Sequence, residues 1–233
     1  MRRIFRSITR LPTRTVRSLK RRFDPVYRLQ RQADRAILRQ LTPRRRAELE
    51  AIGGTSSARE CRLLAYLAGQ TPPVGCIVEI GAFKGKSTAW LIEGAELADR
   101  RRTLVSIDPH VRKSWDDFAQ TVAKFDLERR GLEIHRAFSN EIGANWNRPI
   151  ALLWIDGGHD YEDVVSDIEQ FAPHVVPNGW IVFDDAAGTA YPGVARAIAE
   201  RMRHRDGFDF VGNIKGFALF RRQPAEAALK KAA

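Results

Sequence analysis

The chain has 233 residues, 44% of them apolar, which suits one globular domain with an appendage. Its two cysteines exclude a disulfide-stapled scaffold and a cysteine-rich zinc module. No apolar run approaches the roughly 18 residues that a membrane-spanning helix needs. The formal charge of +11 at first suggests a nucleic-acid binder.

The charge is unevenly distributed along the chain. Residues 1–46 hold 16 Lys or Arg and two acids, a net of +14. Residues 47–233 therefore hold 23 bases and 26 acids, a net of −3. The basicity belongs to an N-terminal arm, and the rest of the chain reads as an ordinary near-neutral domain.

The first 22 residues leave three interpretations open. They carry arginines on one helical face and an apolar stripe on the other, namely Ile4, Phe5, Ile8 and Leu11. That pattern favours contact with an anionic membrane surface. The Arg-rich, acid-poor composition is also typical of a mitochondrial transit peptide, and a disordered, solvated charge run accounts for it equally well. We expect a cytoplasmic protein, peripheral at the inner membrane face.

Helix signals begin at residue 24. Asp24 and Pro25 predict a helix start, and Thr42-Pro43 predicts a second helix that ends at Gly53-Gly54. Ser57-Ala58-Arg59-Glu60 is a capping box that opens a third helix. The helices of 24–52 offer a surface for a homo-oligomer.

From residue 74 short apolar runs alternate with helical stretches. This alternation predicts a mostly parallel sheet covered by helices on both faces, and residues 208–220 predict two strands joined by a turn. Ligands of such sheets bind beyond the carboxyl ends of the strands. The predicted strands are Cys76–Ile80, Thr103–Ile107, Leu132–His135, Ala151–Ile155 and Trp180–Phe183; the predicted helices are 86–97, 113–129, 161–173 and Pro192–Arg203.

The first strand runs into a glycine-bearing turn, Glu79-Ile80-Gly81-Ala82-Phe83-Lys84-Gly85-Lys86-Ser87. A P-loop needs four residues between its glycines, and this loop has three. A dinucleotide fingerprint needs a glycine where Phe83 stands. Glu79 would repel a triphosphate and attract a cationic amino-acid group.

The segment VEIGAFKGKST resembles motif I of class I S-adenosylmethionine-dependent methyltransferases, in the form found in metal-dependent O-methyltransferases. The resemblance implies a Rossmann-like, doubly wound, mostly parallel seven-stranded sheet with a terminal antiparallel hairpin, preceded by N-terminal helices. It also implies that Glu79 and the Gly81–Gly85 loop bind the methionine part of S-adenosylmethionine, with Ser87 near its carboxylate.

Two further strand ends fit that cofactor. Asp108 closes the second strand, where a carboxylate can accept both ribose hydroxyls, although capping before Pro109 is the alternative. Ser139, after the third strand, corresponds to the loop on the adenine side in the resembled family.

The fourth and fifth strands end in acids, Asp156 and the pair Asp184-Asp185. Adjacent parallel strands would bring these carboxylates together, and their repulsion favours a divalent cation. Oxygen ligands without cysteine indicate Mg²⁺ or Mn²⁺. Capping of the next turn is the alternative for Asp184 and Asp185, but it explains three acids at two adjacent strand ends less well than a metal site does.

The stretch from Ile155 to Asp185 resembles sugar- and macrolide-type O-methyltransferases. In that family the matching acids bind Mg²⁺ and the residue matching His159 is the proposed base. Asn178-Gly179 replaces the usual Gly-Gly pair. His159 stands where catechol-type enzymes carry lysine and Asp185 where they carry Asn, which favours a sugar or aliphatic hydroxyl.

We therefore expect a Mg²⁺-assisted O-methyltransferase acting on a hydroxyl of a sugar or a small-molecule, secondary-metabolite acceptor. Its expected parts are a basic helical arm (1–55), an S-adenosylmethionine-binding domain (56–221) and a flexible tail (222–233). A nucleic-acid-binding or RNA-methylating protein that uses the arm is the alternative, against which the net-negative body argues. A P-loop nucleotidase and a non-catalytic member of the family are further alternatives.

Overall fold

The computed structural model describes residues 24–111, 113–187 and 190–224. Residues 1–22 and most of the predicted tail lie outside these ranges. Seven strands form one mixed sheet in the order β3-β2-β1-β4-β5-β7-β6. The first five are parallel, and β7 pairs antiparallel with both β5 and β6. The predicted fold class is confirmed.

The helices and strands alternate as the apolar pattern predicts. The strands are β1 (Cys76–Ile80), β2 (Leu104–Ile107), β3 (Leu132–His135), β4 (Ile150–Ile155), β5 (Val175–Phe183), β6 (Phe208–Ile214) and β7 (Phe217–Arg222). The helices are α1 (Pro25–Gln40), α2 (Pro43–Glu50), α3 (Ala58–Gly69), α4 (Lys86–Leu97), α5 (Trp115–Phe125), α6 (Ser139–Gly143), α7 (Tyr161–Phe171) and α8 (Pro192–Arg201), with a 3₁₀ turn at Ala172–His174.

Strands β1 and β4 are fully buried and lie side by side at the centre of the sheet. The chain order reverses between them, since β2 and β3 lie beyond β1 while β5 lies beyond β4. This is the topological switch point, where open α/β sheets hold their ligands. The residues that follow β1, β2, β4 and β5 therefore border one crevice.

The N-terminal helices join the core on one face of the sheet. Val26, Ala33 and Ile37 of α1 belong to the same buried cluster as the sheet residues Ile77 and Leu152. Ser57 and Glu60 form the predicted capping box of α3, because each side chain accepts a hydrogen bond from the other's backbone N–H. The part of the arm from Pro25 to Glu50 thus packs as an integral layer of the domain.

Element ends differ modestly from the predictions. Strand β5 begins at Val175 and includes Asn178-Gly179, which we had expected to precede it. Asn178 has a positive φ of 63°, so the turn-like pair is absorbed as an irregularity within the strand. Helix α2 ends at Glu50, before Gly53-Gly54. Within the described residues, no helix is long and apolar enough to cross a membrane.

Candidate active site

The loop after β1 is shaped by residues with positive φ. Gly81 has φ 89° and Gly85 φ 82°. A Cβ on Gly81 would collide with the backbone carbonyl of Asp156, so glycine there lets the loop lie directly against the end of β4. Phe83, which occupies the middle glycine position of a dinucleotide fingerprint, also has a positive φ, 49°. Such a conformation in a bulky residue needs support from its surroundings.

Asp108 supplies that support. Its Oδ2 accepts hydrogen bonds from the backbone N–H groups of Ala82 (2.9 Å) and Phe83 (2.7 Å). Its Oδ1 accepts a third from the N–H of His110 at 2.6 Å. A carboxylate has about four acceptor positions, so Asp108 retains about one for a ligand. It can accept one ribose hydroxyl as it stands; accepting both, as the sequence predicts, requires one of these bonds to open.

Glu79 lies beneath the loop, with no exposed surface. Its Oε2 accepts hydrogen bonds from Thr88 of α4 (2.5 Å) and Ser106 of β2 (3.2 Å). Burial raises the pKa of Glu79 to about 7, although neighbouring hydroxyls lower it. Glu79 therefore links β1 to β2 and α4 by hydrogen bonds, and it has no exposed surface with which to contact a cofactor directly.

The two serines predicted to bind the cofactor, Ser87 and Ser139, lie on different helices. Ser87 is in the first turn of α4 and is buried. Ser139 begins α6, and its hydroxyl lowers the pKa of Asp167 on α7, which burial raises to about 7. Asp167 Oδ1 has no hydrogen-bond partner among the described residues. No sequence pattern predicts this buried acid, because Asp167 resembles an ordinary residue on the polar face of a helix.

The acids after β4 and β5 meet across a small cleft. Oxygen atoms of Asp156 and Asp185 and a ring nitrogen of His159 all lie within 4.8 Å of one another. Asp184 lines the same cleft, and its Oδ1 accepts the N–H of Asp185 at 2.8 Å. The structure therefore brings the predicted acids together and adds His159 to the tightest group.

These carboxyl groups disfavour one another's charge. Burial and the nearby charges of Asp184 and Asp185 raise the pKa of Asp156 well above its usual range. Burial also raises the pKa of Asp184 to about 6. Among the described residues, no lysine or arginine lies within ion-pair distance of any of the three acids. A hard divalent cation with oxygen ligands fits the three carboxylates and would relieve their repulsion.

His159 is held on three sides. Its Nε2 lies 2.9 Å from Oδ2 of Asp185. The Tyr191 ring stacks on the imidazole with centroids 3.9 Å apart and an interplanar angle of 19°. Gly193, at the start of α8, packs so closely that a Cβ would lie 2.7 Å from the His159 carbonyl oxygen. Sequence reasoning missed Tyr191 and Gly193, because a Tyr-Pro-Gly helix start does not indicate which loop it will touch.

Two other histidines, His110 and His135, support the fold. His110 is buried, with its Nδ1 2.9 Å from the Ser114 hydroxyl and its ring against Trp115 and Phe118. Burial lowers the pKa of His110. His135 lies 2.8 Å from a Glu133 oxygen on the edge strand β3. Neither contacts the cleft between Asp156 and Asp185.

Part of the chain matches a known family of domains. Residues 78–186, from β1 to the turn after the acid pair, match the family model of a methyltransferase domain. An uncharacterised protein, R132, of Acanthamoeba polyphaga mimivirus is 27% identical over 114 residues, 46% of this chain. The match spans 50% of that relative's length.

Solved structures share the fold. The O-methyltransferase TomG from Streptomyces achromogenes, solved with S-adenosylmethionine, is 22% identical, with a TM-score of 0.57 over 84% of this chain and 89% of that one. CalS11, a TDP-rhamnose 3′-O-methyltransferase of calicheamicin biosynthesis, is 14% identical, with a TM-score of 0.56 over 94% of this chain and 92% of that one. Residues 78–186 therefore match a methyltransferase domain, and the chain shares the fold of these O-methyltransferases.

Proposed function

We propose that the protein transfers a methyl group from S-adenosylmethionine to a hydroxyl of a sugar or small-molecule, secondary-metabolite acceptor, with the help of Mg²⁺. The observation that carries the proposal is the placement of Asp156, His159 and Asp185 next to the glycine loop. Ile80 at the end of β1 pairs with Ile155 at the end of β4, so the glycine loop and Asp156 follow adjacent strands. Methyl donor and acceptor could therefore meet between them.

S-adenosylmethionine would supply an electrophilic methyl group, and a cation held by Asp156, Asp184 and Asp185 would stabilise the negative charge that develops on the acceptor oxygen. The chain's own residues would bind and orient the methyl donor. The Gly81–Gly85 loop offers backbone close to the methionine part, and Asp108 accepts a ribose hydroxyl. Gly81 keeps the loop and Asp156 in contact, which fixes the distance between donor and acceptor.

His159 is the general base of this proposal. At 2.9 Å two unprotonated acceptors would repel, so Nε2 carries the hydrogen that Asp185 accepts, and Nδ1 is the basic nitrogen. With S-adenosylmethionine bound beside the Gly81–Gly85 loop, the acceptor oxygen would take the methyl group as the carbon–sulfur bond breaks, and sulfur would keep the electron pair. The hydroxyl proton passes to Nδ1, and Asp185 stabilises the resulting imidazolium.

A sugar hydroxyl is supported by two observations. CalS11 acts on the 3′-hydroxyl of TDP-rhamnose according to its description, and it shares this fold. His159 also stands where the resembled catechol-type enzymes carry lysine. This replacement favours a sugar or aliphatic hydroxyl over a catechol as the acceptor.

The test is a screen of nucleotide sugars and other hydroxyl compounds with S-adenosylmethionine labelled in its methyl group. We expect label on an acceptor oxygen, loss of transfer with a chelator, and recovery with Mg²⁺. Asp156→Asn should abolish transfer and leave cofactor binding intact, while the exposed neighbour Asp160 serves as control in Asp160→Asn. Full activity of Asp156→Asn in chelator would refute the cation, and label on nucleic acid would refute the acceptor class.

A further inference from the structure

An arginine ridge runs along α1, formed by Arg28, Arg31, Arg35 and Arg39. All four side chains are exposed. The spacing of three, four and four residues puts them within an arc of about 80°, given 3.6 residues per turn, over a length of about 16 Å. The buried residues of the helix, Val26, Gln30, Ala33 and Ile37, lie on the opposite side. The ridge therefore points directly away from the domain.

Nothing in the described protein neutralises this ridge. None of its four arginines forms an ion pair with a described carboxylate, whereas Asp34 of the same helix binds Arg59 and Arg62 of α3. Neighbouring arginines three or four residues apart repel and destabilise the helix. Arg28 also lies near the helix N-terminus, where the macrodipole disfavours a cation. The ridge thus weakens the isolated helix, and an anionic partner would compensate.

We propose that this ridge is the docking surface for an anionic phospholipid bilayer. A straight line of four exposed cations suits a flat negative surface, where each adds to the attraction. Leu38, 38% exposed at the flank of the ridge, could enter the headgroup region. The chain immediately before α1 supplies further arginines and the apolar residues Ile4, Phe5, Ile8 and Leu11. No exposed aromatic residue alternates with the arginines, as base stacking by single-stranded RNA would favour.

The experiment compares two charge-matched variants of the full chain by co-sedimentation with vesicles. The vesicles contain phosphatidylcholine with or without phosphatidylglycerol. The ridge variant is R28Q/R31Q/R35Q/R39Q, and the control is R100Q/R101Q/R129Q/R201Q, four exposed arginines elsewhere. Both retain residues 1–23, so the contribution of that segment is common to them. The double variant R31Q/R35Q provides a milder change.

Each basic residue near such a membrane contributes a factor of about five in binding. We expect the ridge variant to partition at least tenfold less onto phosphatidylglycerol vesicles, the double variant to fall between, and the control to bind like wild type. Loss of repulsion should leave the melting temperature of the ridge variant no lower than that of wild type. Equal loss in both quadruple variants, or unchanged vesicle binding of the ridge variant, would overturn the proposal. Methyl transfer plays no part in this test.

Discussion

Gly81→Ala tests how the cofactor loop is joined to the acid cluster. The new Cβ would collide with the Asp156 carbonyl oxygen and lie 2.9 Å from the Gly157 nitrogen. Both obstacles are backbone, so no side-chain rotation can relieve the contact. The φ of 89° adds strain of about 1–2 kcal/mol for a residue with a Cβ. We expect β1 and β4 to separate at their ends, with total destabilisation of about 2–4 kcal/mol.

Gly131→Ala is the matched control. Gly131 has φ 102°, and a Cβ there would lie 2.9 Å from the Arg102 carbonyl oxygen. Gly131 comes just before β3, at the amino end of the parallel strands, whereas the cleft lies at their carboxyl ends. Both variants should lose stability in urea denaturation. Only Gly81→Ala should also weaken S-adenosylmethionine binding by isothermal titration calorimetry, at least tenfold at a temperature where both are folded. Equal affinities in the two variants would refute the idea that Gly81 couples the loop to Asp156.

Three further predictions follow from the site. Asp185→Asn removes the charge that stabilises a protonated His159, so kcat for the acceptor should fall at least tenfold. Calorimetry should show an unchanged affinity for S-adenosylmethionine. An unchanged kcat would contradict the proposed role of Asp185 in stabilising the protonated His159. Tyr191→Leu removes the ring stacked on His159 and should lower kcat about tenfold with little change in the acceptor's KM. Tyr191→Phe keeps the ring and should retain activity. Similar losses of kcat in both variants would show that the hydroxyl matters and not the stacking. Asp167 has a folded pKa of about 7, above its ordinary 3.8, so the folded state binds more protons and stability falls as pH rises through this window. The free energy of unfolding of Asp167→Asn, measured by urea denaturation relative to wild type, should therefore rise by about 2–3 kcal/mol between pH 5 and pH 8. If this difference in free energy stays constant with pH, Asp167 is not buried as a neutral acid.

Features that depend on local sequence were predictable. The capping box at Ser57 and Glu60 involves residues three positions apart, and the structure confirms it. The apolar runs that end in Asp156 and Asp184 became buried parallel strands, because alternation with helices leaves few other arrangements. The convergence of these acids also followed, since parallel neighbours end at one edge of the sheet.

Features that depend on the exact fit between distant segments were not predictable. The bonds from Ala82 and Phe83 to Asp108 require a specific separation between the ends of β1 and β2. The burial of Glu79 depends on how Thr88 of α4 packs over β1. The stacking of Tyr191 on His159 joins two loops that are 32 residues apart, and no periodic pattern reports such a contact.

Titration of the full chain with S-adenosylmethionine, and separately with ATP, is the most direct test of the central claim. We predict that the chain binds S-adenosylmethionine in a one-to-one complex and that Asp108→Ala, which removes the acceptor for the loop and the ribose, weakens it at least tenfold. ATP should not bind, because the loop lacks the spacing of a P-loop. Binding of ATP in place of S-adenosylmethionine would contradict the account.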